Sequence, residues 1–301
     1  MCANVSSFWR GIMAFRVVVI NEHSKVSYQN NHLLYRSAER TEQIHLSEIE
    51  LLILETTDIA ITSMLLSRLI DENIAVIFCD SSRLPKSYLM PYYGRHDSSL
   101  TIQKQIAWTK ERKSEAFHSI LHQKIQSQSE LLRSLDFEEK ADAILVLLEN
   151  LEAEDPSNRE GHAARILFNT LFGQSFSREQ ESDINAGLDY GYTLLMSLFA
   201  REIVKCGCLT QIGIGHSNQF NPFNLASDLM EPFRPSVDKI VFKYRAEPFP
   251  RIKRHLFQLF TKTYPYERAE MFLPNIASRY TKHVIGYLNE SQEKMPRVTK
   301  G

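Results

Sequence analysis

Near residue 90 the chain changes its hydrophobic period, and that change restricts it to a fold with two unlike parts. Before it, short β-branched and continuous apolar runs dominate. Arg16 to Ile20 is one such run. Lys25 to Tyr28 and His32 to Tyr35 flank Gln29-Asn30-Asn31, where asparagine tolerates the positive φ of a tight hairpin turn. Ile49 to Leu54 is apolar nearly throughout, as in a strand buried on both faces, and Ala75 to Cys79 reads the same way. Thr62 to Glu72 instead has helical spacing, at Met64, Leu65, Leu69 and Ile70.

Pro85, Pro91 and Gly94 mark a connection, after which the spacing is helical. A long helix is expected from Ser98-Ser99 to about Leu135, with apolar positions at Ile102, Ile106, Phe117, Ile120, Leu121 and Ile125. Others are expected at Phe137 to Leu151, after Ser157 to Leu171 with an end near Gly173, and Asp183 to Gly207. Asn224 begins another that meets Pro232 and Pro235; Arg251 to Phe260 and Leu273 to Leu288 complete the set, and the polar residues after Glu290 are expected to fray. The expected class is α+β: a small N-terminal β-rich domain, residues 1–90, then a larger all-α C-terminal domain, residues 91–301.

With 35 basic and 36 acidic side chains the net charge is -1, which argues against the simplest, strongly basic nucleic-acid binder. No run reaches the ~18 apolar residues of a membrane helix, so no membrane partner is expected. The N-terminus lacks the charged start and apolar block of a secretory signal. The four cysteines form no CxxC pair and no disulfide framework. Cys206-Gly-Cys208 is read as a reduced, buried pair rather than a zinc site, and the expected location is the cytoplasm.

Several catalytic motifs are absent. There is no Walker A sequence and no G-x-S-x-G elbow, and Gly213-Ile-Gly215 continues into His-Ser-Asn rather than a third glycine. His118 and His122 stand at i, i+4, but Ser119 replaces the glutamate of a zinc protease, so they read as a helix face. His96-Asp97 matches one element of a His-Asp metal phosphohydrolase, with His45 and Asp142 as conceivable partners; a domain junction is the plainer reading.

One cluster gathers hard ligands. Glu160 falls in the first turn of the helix after Ser157, and His216 in the loop Ile212-Gly-Ile-Gly-His-Ser-Asn-Gln219, where glycine lets the backbone place a ligand freely. Asp228 and Glu231, three apart, share one side of the following helix. One imidazole with two or three carboxylates suits Mg²⁺ or Mn²⁺ better than Zn²⁺. Spacing alone leaves a second reading open, in which Glu160 favours a helix N-terminus and Asp228 and Glu231 form a solvated face.

At these residues the sequence resembles the CRISPR-associated spacer-acquisition integrases, Cas protein one, and within them the type II branch. Further stretches carry the likeness: Leu54-Glu-Thr-Thr-Asp-Ile59, Arg95-His-Asp-Ser-Ser-Leu100, Asp155-Pro-Ser-Asn-Arg-Glu-Gly-His162, Asp183-Ile-Asn-Ala-Gly-Leu-Asp-Tyr-Gly-Tyr-Thr193 and Phe223-Asn-Leu-Ala-Ser-Asp-Leu-Met-Glu-Pro-Phe-Arg-Pro235. The resemblance runs from about Met13 to the C-terminus. It implies a metal-dependent DNA integrase and endonuclease that joins 3′-hydroxyl ends of short duplex DNA into a CRISPR array by transesterification. It assigns Glu160, His216 and Glu231 as catalytic metal ligands for Mg²⁺ or Mn²⁺, with Asp228 as an auxiliary acid. It also implies a homodimer, a dimer of Cas protein two as partner in a larger complex, and further type II adaptation proteins. A non-catalytic DNA-binding scaffold and the His-Asp phosphohydrolase remain the competing readings. The twelve residues before Met13 depart from the family and are expected to be an extension or a misassigned start.

The charge balance conceals segregation. Residues 151–235, which hold the proposed ligands, carry 6 basic and 11 acidic side chains, whereas residues 236–301 carry 13 and 6. Duplex binding depends on local neutralisation of phosphates, so Arg251, Lys253 and Arg254 are candidate DNA contacts; a solvated or partner-facing helix is the alternative.

Overall fold

The computed structural model describes residues 16–91, 94–153 and 155–298. The stretch 1–12 and Cys2 lie outside the described residues. The chain divides into two units, Met1–Tyr92 with Phe260–Thr263, and Tyr93–Leu259 with Tyr264–Gly301.

In the first unit, β1 (Arg16–Ile20), β5 (Ile49–Leu54), β7 (Ala75–Cys79) and β8 (Pro85–Leu89) form one sheet in the order β1-β5-β7-β8. All six residues of β5 are buried, because the strand lies between β1 and β7 and is parallel to both. A second sheet runs β4 (Thr41–His45), β3 (His32–Arg36), β2 (Ser24–Gln29), β6 (Ile59–Ile61). Its β2–β3 turn has positive φ at both Asn30 (47°) and Asn31 (61°), as the paired asparagines predict. Helix α1 (Ser63–Asp71) is capped by Thr62, whose hydroxyl accepts from Leu65 N, and it inserts Leu65 and Leu69 into the core shared with Val26, Leu33 and Leu52. Strands β4, β6 and β8 are short and partly exposed; β4 and β8 lack an apolar run, and β6 has only the three residues Ile59, Ala60 and Ile61.

The second unit is mostly helical. Its first two helices are α2 (Ser98–Ile106) and α3 (Lys110–Arg133), not the single helix expected through Leu135. The break has a local cause: Thr109 is extended and caps α3 through Arg112 N, while Trp108 is buried and donates Nε1–H to Asn289 Oδ1 at 2.8 Å. Ile106, expected on the apolar side, ends α2 at 68% exposure. Helix α4 (Glu138–Leu145) tightens into a 3₁₀ turn, and α5 (Arg159–Phe172) ends at Gly173 with φ 97°.

Helix α6 (Asp183–Lys205) is the centre of this unit, with Leu194, Leu195, Phe199 and Ala200 almost wholly buried. Around it pack α7 (Asn224–Met230), α8 (Arg234–Lys243), α9 (Phe249–Leu256) and α11 (Leu273–Leu288). A Cβ at Gly191 would lie 2.4 Å from Val237 Cγ1, so the close α6–α8 approach requires that glycine. The α-only expectation needs one correction. After α10 (Gln258–Thr261), β9 (Thr263–Tyr266) and β10 (Ala269–Phe272) form a two-stranded sheet, favoured by Thr263, Tyr264 and Tyr266 and turned at Glu267, φ 53°. Among the described residues no helix is long and apolar enough to cross a membrane. Cys79, Cys206 and Cys208 are buried; burial pushes the Cys206 thiol up to about 11 and Cys208 to about 12, which suits inert packing.

Candidate metal centre

Three elements and a loop bring the sequence-predicted residues together. Glu160 opens α5, but Ser157 does not cap that helix. The Asp155 carboxylate does so, accepting from Arg159 N at 2.7 Å and Glu160 N at 2.8 Å. The turn needs left-handed φ at Asp155 (45°) and Asn158 (52°).

Glu231 sits where α7 gives way to the 3₁₀ turn Glu231–Phe233, just before Pro232 and Pro235 prevent a continuous helix. Asp228 is 0% exposed and Glu231 1%, so the solvated-face reading fails. Nor do the two acids act alike. Asp228 spends both oxygens on the glycine loop: Oδ2 accepts from Ile214 N (2.6 Å) and Gly215 N (3.3 Å), and Oδ1 accepts from His216 N (3.0 Å) and His216 Nδ1–H (2.6 Å). It thereby fixes the imidazole tautomer and leaves Nε2 as the available ligand nitrogen. That hydrogen bond, opposed by burial and reinforced by Asp228, Glu231 and Glu160, raises the His216 pKa.

The loop is built to hold this geometry. A Cβ at Gly213 would lie 2.3 Å from His216 O and 2.8 Å from Asp228 Oδ2, and one at Gly215 would lie 2.2 Å from the Phe117 ring. Only glycine fits at both points. Gln105 on α2, 1% exposed, braces the loop from below: Nε2 donates to Leu209 O (2.8 Å) and Ile212 O (3.0 Å), and Oε1 accepts from Leu209 N (2.8 Å). Asn224 Nδ2 closes it by donating to Gln211 O and Asn218 O, both at 3.0 Å.

Lys124 on α3 was not among the expected site residues, and it lies at the centre. Its ammonium ion-pairs with both Glu160 Oε1 and Glu231 Oε2. Glu231 Oε2 is buried without a hydrogen bond of ordinary geometry, so Lys124 supplies charge there more than an aligned donor. Arg234 Nη1 takes the other oxygen, Oε1, at 2.8 Å. Burial would raise the Glu231 carboxyl, but Lys124 and Arg234 together outweigh it and hold the group below the ordinary glutamate value. The signal for Lys124 was present in the sequence: it continues the buried stripe Ile120, Leu121, Ile125, Gln128 of α3. A lysine in that row is costly to bury without a counter-charge. Arg234, Asp155 and Gln105 carried no comparable signal.

Among the described residues no three His, Cys, Asp or Glu side chains converge as a finished metal shell. What converges is two carboxylates on one shared cation, beside an imidazole with a fixed tautomer. That donor set fits a hard divalent ion.

The remaining candidates separate. Asp97 is held by Arg95, Nε to Oδ1 and Nη2 to Oδ2 both at 2.8 Å, and Asp142 by Arg133 Nη2 at 2.5 Å. Each of these carboxylates is thus engaged by an arginine near it in sequence. His118 donates Nε2–H to Leu151 O at 3.0 Å, as part of the α3 surface. Of the three proposed duplex contacts, Arg251 and Arg254 are exposed, but Lys253 is not. It is 7% exposed with Nζ 5.0 Å from the Tyr190 ring centroid, because its position on α9 faces α6. Its charge is spent in the interior.

Comparison with known proteins bears on the fold and the family. The profile of the family described as CRISPR associated protein Cas1 matches residues 17–247. A CRISPR-associated endonuclease Cas1 of Neisseria meningitidis serogroup C (strain 8013) is 31% identical over 252 residues, 82% of this chain and 83% of the relative. A solved casposase bound to integration product matches with a TM-score of 0.76 at 19% identity, covering 94% of this chain and 93% of that one. A chain of a Cas6-RT-Cas1–Cas2 complex matches with a TM-score of 0.73 at 16% identity, covering 98% of this chain and 37% of that one. At those identities the two structures speak for the fold. With its profile match over most of the sequence and a relative alike across most of both chains, this chain belongs to the CRISPR-associated protein Cas1 family.

Proposed function

We propose that the chain is a metal-dependent DNA endonuclease and integrase of CRISPR adaptation, of the type II branch. Its proposed reaction joins the 3′-hydroxyl of a short DNA duplex to a phosphodiester of the CRISPR repeat. The observation that carries this reading is the convergence of Glu160 and Glu231 on one cation beside His216, whose Nδ1–H is held by Asp228. Family membership and the casposase likeness point in the same direction.

Glu160, Glu231 and His216 Nε2 would hold Mg²⁺ or Mn²⁺. When bound, such an ion polarises the phosphodiester and offsets charge developing on its oxygens. In the exchange, the 3′-oxygen forms a new P–O bond, the old P–O bond breaks, the attacking hydroxyl loses its proton and the departing oxygen gains one. The chain's own groups prepare for this. Asp228 keeps the proton on His216 Nδ1, Arg234 keeps Glu231 ionised, and Gln105 and Asn224 fix the loop that carries the imidazole. These arrangements hold the ligands in place before substrate arrives.

The proposed assembly is a homodimer acting with a Cas2 dimer and further adaptation proteins. A Cas1–Cas2 complex stands among the structures of like fold. The presence of Glu160 and Glu231 on one cation, beside an imidazole oriented by Asp228, favours the catalytic reading over the scaffold one.

The test is strand joining of a labelled duplex with Mn²⁺ or Mg²⁺. Glu160→Gln and His216→Ala are each expected to lower joining by about 10²-fold or more, with duplex binding in a gel shift retained. His96→Ala is expected to leave both intact. Joining that survives His216→Ala would overturn the assignment, and parallel loss of binding would make the residue structural.

A further inference from the structure

Lys124 belongs to neither the predicted ligand set nor the surface. Its side chain is 7% exposed, amid the buried α3 residues Ile120, Leu121, Ile125 and Gln128. An ammonium in such a place must be paired to be tolerated. Here it is paired twice, with Glu160 of α5 and Glu231 beside α7, two carboxylates that sequence separation alone would not bring together.

Charge balance gives this a consequence. Glu160 and Glu231 together carry two negative charges. Lys124 and Arg234 carry two positive ones, Arg234 lying 2.8 Å from Glu231 Oε1. Asp228 is already committed to His216 and the loop amides. A divalent ion added to this set would leave excess positive charge against a glutamate that is 1% exposed. One of the resident cations must leave. Arg234 is fixed by its bond to Glu231 and by its guanidinium, 4.2 Å over the Tyr192 ring. Lys124 approaches Glu231 Oε2 without a hydrogen bond of ordinary geometry. Its other partner, Glu160, is 31% exposed, and a four-carbon stem can carry the amine toward water while staying packed.

We propose that Lys124 is a built-in counter-ion, and that a divalent ion binds by exchange with its ammonium. In the metal-free protein it keeps Glu160 and Glu231 together; on loading, Nζ leaves both carboxylates. The inference rests on the reading of Glu160, His216 and Glu231 as ligands.

The first test is a Mn²⁺ titration of the full chain without DNA, followed by calorimetry and thermal melting, for wild type and Lys124→Met. Methionine keeps much of the stem and removes the charge. The variant is expected to melt lower without metal. It should take up Mn²⁺ at a concentration about tenfold lower, as expected for losing a competing charge at close range, and melt near wild type when saturated. The second test uses wild type alone, so it holds even if the variant does not fold. Amine-specific labelling read by peptide mass spectrometry should find Lys124 protected in EDTA and labelled several-fold more in Mn²⁺. Equal Mn²⁺ midpoints, or protection unchanged by Mn²⁺, would overturn the exchange while leaving the metal site standing. If neither protein takes up Mn²⁺, the ligand reading fails and the exchange fails with it.

Discussion

Asp228 shows how much of the site depends on a residue that need not touch the metal. All its acceptor capacity goes to three loop amides and His216 Nδ1. Asp228→Asn would turn a donor group toward donors. It should weaken Mn²⁺ binding about 10- to 100-fold, the usual effect of losing an outer-shell partner, and lower stability by about 1–3 kcal/mol for the unsatisfied amides. Mn²⁺ calorimetry beside urea unfolding checks both. A second buried acid sets a pH dependence. Burial pushes the Asp238 carboxyl up to about 6, against the Tyr192 hydrogen bond at 2.5 Å and the charges of Arg234, Lys124 and Arg178. Unfolded, the group titrates near 3.9, so between those values the folded chain holds more protons. This contribution to stability is therefore greatest at acid pH, falls as pH rises through about 4 to 6, and is constant above. Asp238→Asn should gain on wild type by up to about 3 kcal/mol between pH 4 and 7, the shift multiplied by 1.36 per unit. Urea melts at the two pH values measure it, and a pH-independent difference would refute it.

Two glycines and a glutamine decide where the loop between α6 and α7 can carry its histidine. Gly215→Ala would drive a Cβ into the Phe117 ring; Gln105→Leu would strand Leu209 N and the carbonyls of Leu209 and Ile212. The Gln105 change should cost about 2–3 kcal/mol, roughly one for each lost bond. Joining should fall in both variants with duplex binding retained, as a denaturation curve and a paired activity assay will show. At this scale the sequence was informative where its signal was local. The asparagine hairpin, the helix α1 and the doubly buried β5 could all be read from local sequence. So could the Glu160, His216, Asp228 and Glu231 cluster, first as an open alternative and then through the family resemblance. The break at Thr109 could not be read, because a distant partner, Asn289, fixes Trp108. The roles of Asp228 and Lys124 were hidden for a similar reason. Both depend on which elements pack against α7 and α3, and periodicity reports that a face is buried but not what it meets.

Across the whole chain, the near-zero net charge is the sum of an acidic stretch around the site and a basic C-terminal stretch, +7 over residues 236–301. The structure divides the basic residues further. Arg251 and Arg254 are exposed on α9, whereas Lys253 is packed under Tyr190. Arg251→Ala with Arg254→Ala is expected to weaken duplex binding alike for every sequence. It should also reduce the slope of log affinity against log salt by up to about 2, near one for each phosphate contact. Lys253→Ala should leave the slope unchanged and lower the melting temperature instead. Binding isotherms at several salt concentrations distinguish a duplex-tracking face from a solvated one.

Anomalous diffraction from crystals grown with Mn²⁺ will show whether Glu160, His216 and Glu231 hold one divalent ion. A single strong peak is expected within bonding distance of Glu160, Glu231 and His216 Nε2, with Asp228 still on His216 Nδ1 and the Lys124 amine withdrawn. A peak at His96 and Asp97, or saturating Mn²⁺ with no peak between the two glutamates, would contradict it.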